Sequence, residues 1–221
     1  PQDIRIVLGR LATTALGTAG DIGVKEISDL RGKRIGFVKG NPSVNVKNEG
    51  FLAFGGLTTD DVQQVWFGSY NAMKTAVIAG QLDAFSTVTT SANVREIEAS
   101  PRGLTWPQFR PENEAGWAAM KKIISFAAPW KETKGAGLSE ENPAWLVGIR
   151  YPMITPYART TEDEVYNMIK ALDIAYPDYK NTTASSTNWA IEHAARPPYD
   201  APAHDGTIRY MKEKGLWRAE D

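Results

Sequence analysis

Between Arg34 and Thr90 an apolar run is followed three times by a short polar loop that opens a helical stretch. The runs are Arg34-Ile35-Gly36-Phe37-Val38, Gln64-Val65-Trp66-Phe67 and Leu82-Asp83-Ala84-Phe85. The loops are Gly40-Asn41-Pro42-Ser43, Gly68-Ser69-Tyr70-Asn71 and Ser86-Thr87-Val88-Thr89-Thr90. Strands alternating with helices at this spacing predict βαβ units and a largely parallel sheet. If the strands are parallel neighbours, all three loops emerge at one sheet edge. Ligands bind in the crevice at the carboxyl ends of such strands, where helix N-termini offer N–H groups.

Composition narrows the function more than the fold. Formal net charge is −1 over 221 residues, with both signs interspersed. A nucleic-acid or anionic-membrane surface needs a basic field, so neither partner is expected. The absence of cysteine removes disulfides, thiolate metal sites and cysteine nucleophiles together. No apolar run approaches the roughly 20 residues that span a bilayer. Pro1 is not a natural translation start, so a processed or truncated chain is expected.

Outside the central repeat the pattern is less regular. Ile4–Leu8 reads as a strand, followed by a Gly/Thr/Ala-rich loop through Gly23. Ile27–Gly32 reads as a helical turn capped by Ser28. Helices are expected from Ser43 to Phe54, from an Asn71 cap to Gly80, and from Ser91 through Val94 and Ile97. Leu104–Trp106 is a candidate strand, and Pro111 suits the first position of a helix reaching Lys122. Ile123–Asn142 breaks the pattern and reads as a crossing segment with a surface loop. Trp145–Ile149 and Met153–Tyr157 are strand-like. Thr161-Glu162-Asp163-Glu164 is a capping box, opening a helix with Val165, Met168, Ile169 and Leu172 on one stripe. Further helices are expected over Asn188–Ala195 and Gly206–Lys214.

Four segments in order resemble one family. Asp29-Leu30-Arg31-Gly32-Lys33-Arg34-Ile35 resembles the "DLKGKRV" turn of extracytoplasmic solute-binding proteins, and Gly80-Gln81-Leu82-Asp83-Ala84-Phe85 resembles their "DGQIDAFF" strand. Glu164-Val165-Tyr166 with Lys170-Ala171-Leu172 is similar to the "DLVYELTKALFE" helix of TAXI-type receptors for TRAP transporters. The tail from Pro202 to Gly215 resembles the "PxHxGAxRYYKExG" ending of the same receptors. The resemblance implies an α/β fold, a type II periplasmic-binding-protein-like clamshell whose two lobes have largely parallel sheets. It implies lobe one over residues 1–32 and 123–221 and lobe two over 33–122. The family's Gly-rich segment before this region has no counterpart here, so lobe one is expected to be incomplete.

Candidate ligand-binding residues follow from the three loops: Asn41, Ser43, Asn45, Phe67, Ser69, Tyr70, Thr87 and Thr89. Ser43 and Asn45 suit donation to a carboxylate at a helix N-terminus; ordinary capping accounts for the same residues. Ser69 and Asn71 carry the same two readings. Thr87, Thr89 and Thr90 form either a polar wall or a solvated loop. Tyr70, at a loop tip, gains little from core burial and suits a ligand contact. Trp130 stands where the family has a crossing-segment tyrosine, at a cleft floor or packed on a hinge. His204 matches the family tail and is expected to fix the loop before the last helix.

No catalytic constellation competes. His193 and His204 are too far apart for a local metal motif, and no metal or other cofactor is expected. Asp60-Asp61 suits a helix N-terminus better than acid/base chemistry. There is no Gly-x-Ser-x-Gly elbow, phosphate loop or Gly-x-Gly-x-x-Gly. The resemblance therefore implies a periplasmic, or otherwise extracytoplasmic, receptor that is not an enzyme. It would capture an amino acid or organic anion and hand it to the membrane subunits of a TRAP transporter. Two alternatives stand beside it: a binding protein of another transporter class, ABC-type, for thiamine precursors or aromatic anions, and an enzyme on the same clamshell architecture.

Overall fold

A computed structural model describes residues 3–183, 186–194 and 201–217, with backbone alone for His193 and Ala194. The chain is α/β and divides into two compact units, residues 13–148 and residues 1–12 with 149–221. Two long strands, β1 (Ile4–Ala19) and β7 (Ala144–Pro156), run from one unit into the other.

The unit of residues 13–148 is built on the three apolar runs. They form β2 (Arg34–Val38), β3 (Gln63–Phe67) and β4 (Ala84–Val88). β2 pairs in parallel with both β3 and β4, so the order is β3-β2-β4 and all three carboxyl ends share one edge. The intervening helices are α1 (Pro42–Phe54) and α2 (Tyr70–Ile78), followed by α3 (Ala92–Glu98). The first crossover steps to one side of β2 and the second steps back across it. Right-handed connections then place α1 and α2 on opposite sheet faces. A Cβ on Gly36 would meet Met73 Sδ at 2.6 Å, which puts α2 over the Gly36 and Phe85 face.

Beyond β4 the sheet turns antiparallel. β1 pairs with β4 and with the short β5 (Leu104–Thr105), and β6 (Ala128–Glu132) pairs with β7. β1 thus occupies most of the stretch read from sequence as a loop through Gly23. Its residues from Ala12 to Ala19 are buried without exception, and Thr13, Thr14 and Thr18 supply β-branched side chains. The small residues serve packing: a Cβ on Gly17 would already sit 3.0 Å from Thr87 Cγ2.

Several expected boundaries move for local reasons. The turn at Ile27–Leu30 is capped by a Glu26/Asp29 box, with Ser28 inside it. Asp29 accepts the Lys25 and Glu26 N–H groups, and these backbone bonds, the Glu26 one foremost, lower its pKa. α4 (Glu114–Lys121) starts three residues after Pro111, because the Asn113 side chain accepts the Gly116 N–H at 2.9 Å. The two strand-like stretches after Asn142 are one strand, β7.

The unit containing the chain ends packs β1 against α5 (Glu162–Tyr179) and α7 (Asp205–Glu213). The expected Thr161/Glu164 capping box is present in both directions. The buried stripe of α5 is Val165, Tyr166 and Ile169, while Met168 faces solvent. His204 caps α7: its Nδ1 accepts the Gly206 N–H at 3.2 Å, and Nε2–H donates to Thr160 O at 3.1 Å. The stretch expected as a helix from Asn188 is a 3-10 turn to Trp189 and then α6 (Ile191–Ala194). Ala195 and the His193 side chain lie outside the described residues.

Among the described residues, two buried polar side-chain atoms have no protein partner, Asn48 Oδ1 and Ser86 Oγ. An unmade hydrogen bond on a buried hydroxyl costs about 1–3 kcal/mol. Ser86→Ala is therefore expected to leave stability unchanged or raise it by about 1 kcal/mol, read as a thermal shift. A loss above about 1 kcal/mol would show that the hydroxyl does bind something.

Candidate ligand-binding site

The carboxyl edge of β3-β2-β4 gathers the three loops. Gly40, in the left-handed region at φ 73°, turns the chain from β2 into α1, a conformation that favours glycine. The Lys39 N–H donates to Phe67 O at 2.8 Å, tying the first loop to the end of β3. α1 begins without a side-chain cap: Asn41 occupies the cap position, but its side chain takes no hydrogen bond there. Pro42 needs no partner for an N–H it lacks, and the Val44 and Asn45 N–H groups go to Asn41 O at 3.2 and 3.4 Å. The Ser43 N–H and its exposed hydroxyl remain at the positive end of a 13-residue helix. That is the chemistry of an oxyanion or carbonyl acceptor site.

The other candidates divide by what already occupies them. Asn45 is committed to the strand end, its Oδ1 accepting Val38 N–H and its Nδ2 donating to Val38 O, both at 3.0 Å. It clamps α1 to β2. Ser69 caps α2, accepting the Ala72 N–H at 3.2 Å, and Asn71 lies inside that helix instead of capping it. Ser69 remains exposed, and Phe67 and Tyr70 are half-buried beside it, with the Tyr70 ring 6.4 Å from that of Phe85. The first and second loops therefore present Asn41, Ser43, Phe67, Ser69 and Tyr70 together.

The third loop is covered. Thr87 is buried on the α3 side of β4, and its carbonyl accepts the Thr14 hydroxyl at 2.8 Å. Thr89 is 1% exposed. The segment between β6 and β7 folds over it: the Ala136 N–H donates to Thr89 O at 3.0 Å, and Gly135 adopts φ 121° against the Thr89 backbone. A Cβ at Gly135 would fall 2.5 Å from Thr89 O, so this close approach needs glycine. Trp106 Nε1–H donates to Ala136 O at 2.8 Å, and Gly137 N–H donates to Glu98 Oε1 at 2.7 Å. The stretch expected as a surface loop is in part a strap pinned over the end of β4. Thr89 offers its side chain to this packing.

Trp130 lies elsewhere. It sits on the edge strand β6, 37% exposed and paired with Leu146. The order β3-β2-β4-β1-β7-β6 puts four strand spacings, roughly 19 Å, between β2 and β6. The structure does not bring Trp130 to the first two loops.

Among the described residues no group of three His, Asp or Glu side chains converges as a metal site, and no helix is long and apolar enough to cross a membrane. The arrangement can hold a small polar molecule by backbone N–H groups, hydroxyls and aromatic faces.

No curated protein matches the sequence. A solved protein from Bordetella bronchiseptica RB50 aligns with a TM-score of 0.52 over 97% of this chain and 76% of its own, at 17% identity. The alkanesulfonate-binding protein SsuA from Xanthomonas axonopodis pv. citri, solved with MOPS bound, aligns at 0.45 over 98% and 71%, at 17% identity. The periplasmic aliphatic sulphonate binding protein SsuA from Escherichia coli aligns at 0.39 over 86% and 74%, at 15% identity. Of these three, the Bordetella alignment is strong enough to show a common fold. A family model settles the relationship, matching residues 2–215: the chain belongs to the NMT1-like family.

Proposed function

We propose that the chain is the solute-binding component of an importer, working outside the cytoplasm and delivering a small polar organic solute to membrane subunits. The observation that carries this reading is the shared edge of β3-β2-β4, where the uncapped start of α1 and the Ser69-Tyr70 loop stand side by side. Residues 33–122 would form the ligand-bearing core of one lobe. Residues 1–32 and 123–221 would supply the other lobe and the crossing strands. Ligand contacts made only in a closed form would stabilise it, which is how such a receptor signals occupancy.

An ABC-type importer is the favoured transporter class. The NMT1-like match runs through residue 215, so it accounts for the tail that resembles TAXI-type receptors without invoking a TRAP transporter. The TRAP reading keeps that tail as its support. Uptake reconstituted with membrane subunits separates the two: ABC-type transport follows ATP hydrolysis, TRAP transport an ion gradient.

Native mass spectrometry of the protein purified from its host tests the binding role. The expected result is a 1:1 complex with a small organic molecule that is released chemically unchanged after incubation. Conversion of that molecule would make the chain an enzyme. A protein that carries nothing, and whose tryptophan fluorescence ignores a broad solute panel, would contradict the binding role.

A further inference from the structure

In the unit of residues 13–148 the sheet order ends on two strands of equal length, β3 and β6, and the two ends are not alike. An open sheet edge is a template for another chain unless proline or charge stands in the way. β6 reads Ala128-Pro129-Trp130-Lys131-Glu132 and carries both kinds of guard. β3 reads Gln63-Gln64-Val65-Trp66-Phe67 and carries neither. Among the described residues β3 pairs with β2 alone.

The open edge has a definite pattern. The Gln63 N–H donates to Lys33 O and the Lys39 N–H donates to Phe67 O, both at 2.8 Å. Gln63, Val65 and Phe67 therefore spend their backbone groups on β2, and the N–H and C=O of Gln64 and Trp66 point outward. Two outward residues flanking Val65 make the edge self-complementary. An antiparallel copy sets Gln64 against the second copy's Trp66, and Trp66 against its Gln64, about a twofold axis at Val65. Gln64 and Trp66 share one sheet face. Trp66 is 48% exposed, with its ring centroid 5.2 Å from that of Phe37. In the paired sheet the two Trp66 side chains lie diagonally across the axis, within reach of each other. Charge favours the same partner. No residue of β3 is charged, so no like charges meet across the pair. Exposed Asp60 precedes the strand and exposed Lys39 stands beside its end, so antiparallel pairing brings the acid of each copy toward the lysine of the other.

We propose that β3 is the contact of a symmetric homodimer, in which two copies join antiparallel with Val65 opposite Val65. The proposal stands apart from the solute and its class. The carboxyl ends of the two β3 strands point in opposite directions, which leaves one candidate site at each end of the joined strands.

Sedimentation velocity over a dilution series tests the dimer on wild type, Gln64→Lys and Gln64→Pro. Wild type is expected to pass from monomer to dimer as concentration rises. Each substitution acts twice in a symmetric pair: the lysine guards the edge, and the proline removes an outward N–H while sparing the β2 ladder. Each is expected to weaken dimerisation by about tenfold or more, with the melting temperature of Gln64→Lys unchanged. The register is read separately, because the chain contains no cysteine. Val65→Cys in a glutathione redox buffer is expected to cross-link to its copy, since the Cα atoms of an opposed, non-hydrogen-bonded pair lie about 4.5 Å apart. Gln63→Cys, offset from its copy by about four residues or roughly 14 Å, is expected not to cross-link. If Gln64→Pro does not fold, Gln64→Lys and the two cysteine variants decide. Wild type that stays monomeric at every concentration, a dimer indifferent to the Gln64 substitutions, or Gln63→Cys that cross-links as readily as Val65→Cys overturns the proposal. So does a β3 edge whose outward amides are protected from exchange only when membrane subunits are added.

Discussion

Asp83→Ala is expected to destabilise the unit of residues 13–148 by about 3 kcal/mol, lowering the melting temperature by roughly 6–12 °C. Asp83 sits where the chain enters β4, 6% exposed. Its Oδ2 accepts the Arg34 backbone N–H at 2.8 Å and Nε–H at 3.0 Å, and its Oδ1 accepts Arg34 Nη2–H at 2.6 Å. Arg102 Nη2 lies 3.9 Å from the same carboxylate, while Arg102 Nη1 donates to Val77 O and Leu82 O. The carboxylate therefore ties β2, β4 and the end of α2 together. Removing it leaves the part-buried Arg34 N–H and guanidinium without their anion, while Arg102 keeps Asp21 Oδ2 at 2.9 Å from its Nε. The figure is at the low end for breaking a buried ion pair because the Arg34 side chain is 34% exposed and regains some hydration.

The same carboxylate sets a pH dependence. Burial pushes the Asp83 pKa up, but the Arg34 hydrogen bonds and the charges of Arg34 and Arg102 outweigh it, so the net shift is down. A carboxylate depressed in the folded state stabilises it above the unfolded pKa of about 3.9 and loses that contribution as pH falls through the folded value. Wild type is expected to lose stability below about pH 4, and Asp83→Ala to show a flatter acid limb, measured as melting temperature against pH. Parallel acid limbs in the two proteins would show that Asp83 is not depressed.

Gly206→Ala is expected to destabilise the other unit, although helix propensity favours alanine by about 1 kcal/mol. Gly206 lies in the first turn of α7, where that helix crosses the start of α5. A Cβ there would fall 2.3 Å from Glu162 O, 2.7 Å from Tyr166 N and 2.9 Å from Val165 Cβ. Two of those atoms are backbone, so no rotamer relieves the clash and the helices must separate. Overpacking costs roughly 1–3 kcal/mol, and more where backbone must move. A net loss of about 2 kcal/mol, or roughly 4–8 °C, is expected in thermal melts. An unchanged or raised melting temperature would mean that the helices do not meet at Gly206.

The parallel core was legible because strands covered by helices on both faces read as continuous apolar runs, and each of these ends in a loop with helix-opening residues. The Thr161/Glu164 box was equally legible, since both partners are three residues apart and the geometry is local. At α2 two good caps, Ser69 and Asn71, compete within three residues, and only the fold shows that Ser69 wins. β1 was hidden because Gly, Ala and Thr suit loops as well as a strand squeezed between helices. The sign was present: no charged residue stands between Arg10 and Asp21. Thr89 and Trp130 depended on long-range order. No local pattern tells that Gly135 and Ala136 fold back onto β4, or that β6 joins the sheet at the end away from β3.

The central claim is that a solute is held at the carboxyl edge of β3-β2-β4 and left chemically intact. Amide ¹H–¹⁵N spectra of the protein as purified, against the same protein stripped by unfolding and refolding, test it most directly. Among amides of the unit 13–148, the largest changes are expected in residues 39–45 and 68–72, and they are expected to return when the released molecule is added back unaltered. Unmoved amides in both segments, with changes concentrated elsewhere in that unit, would contradict the account.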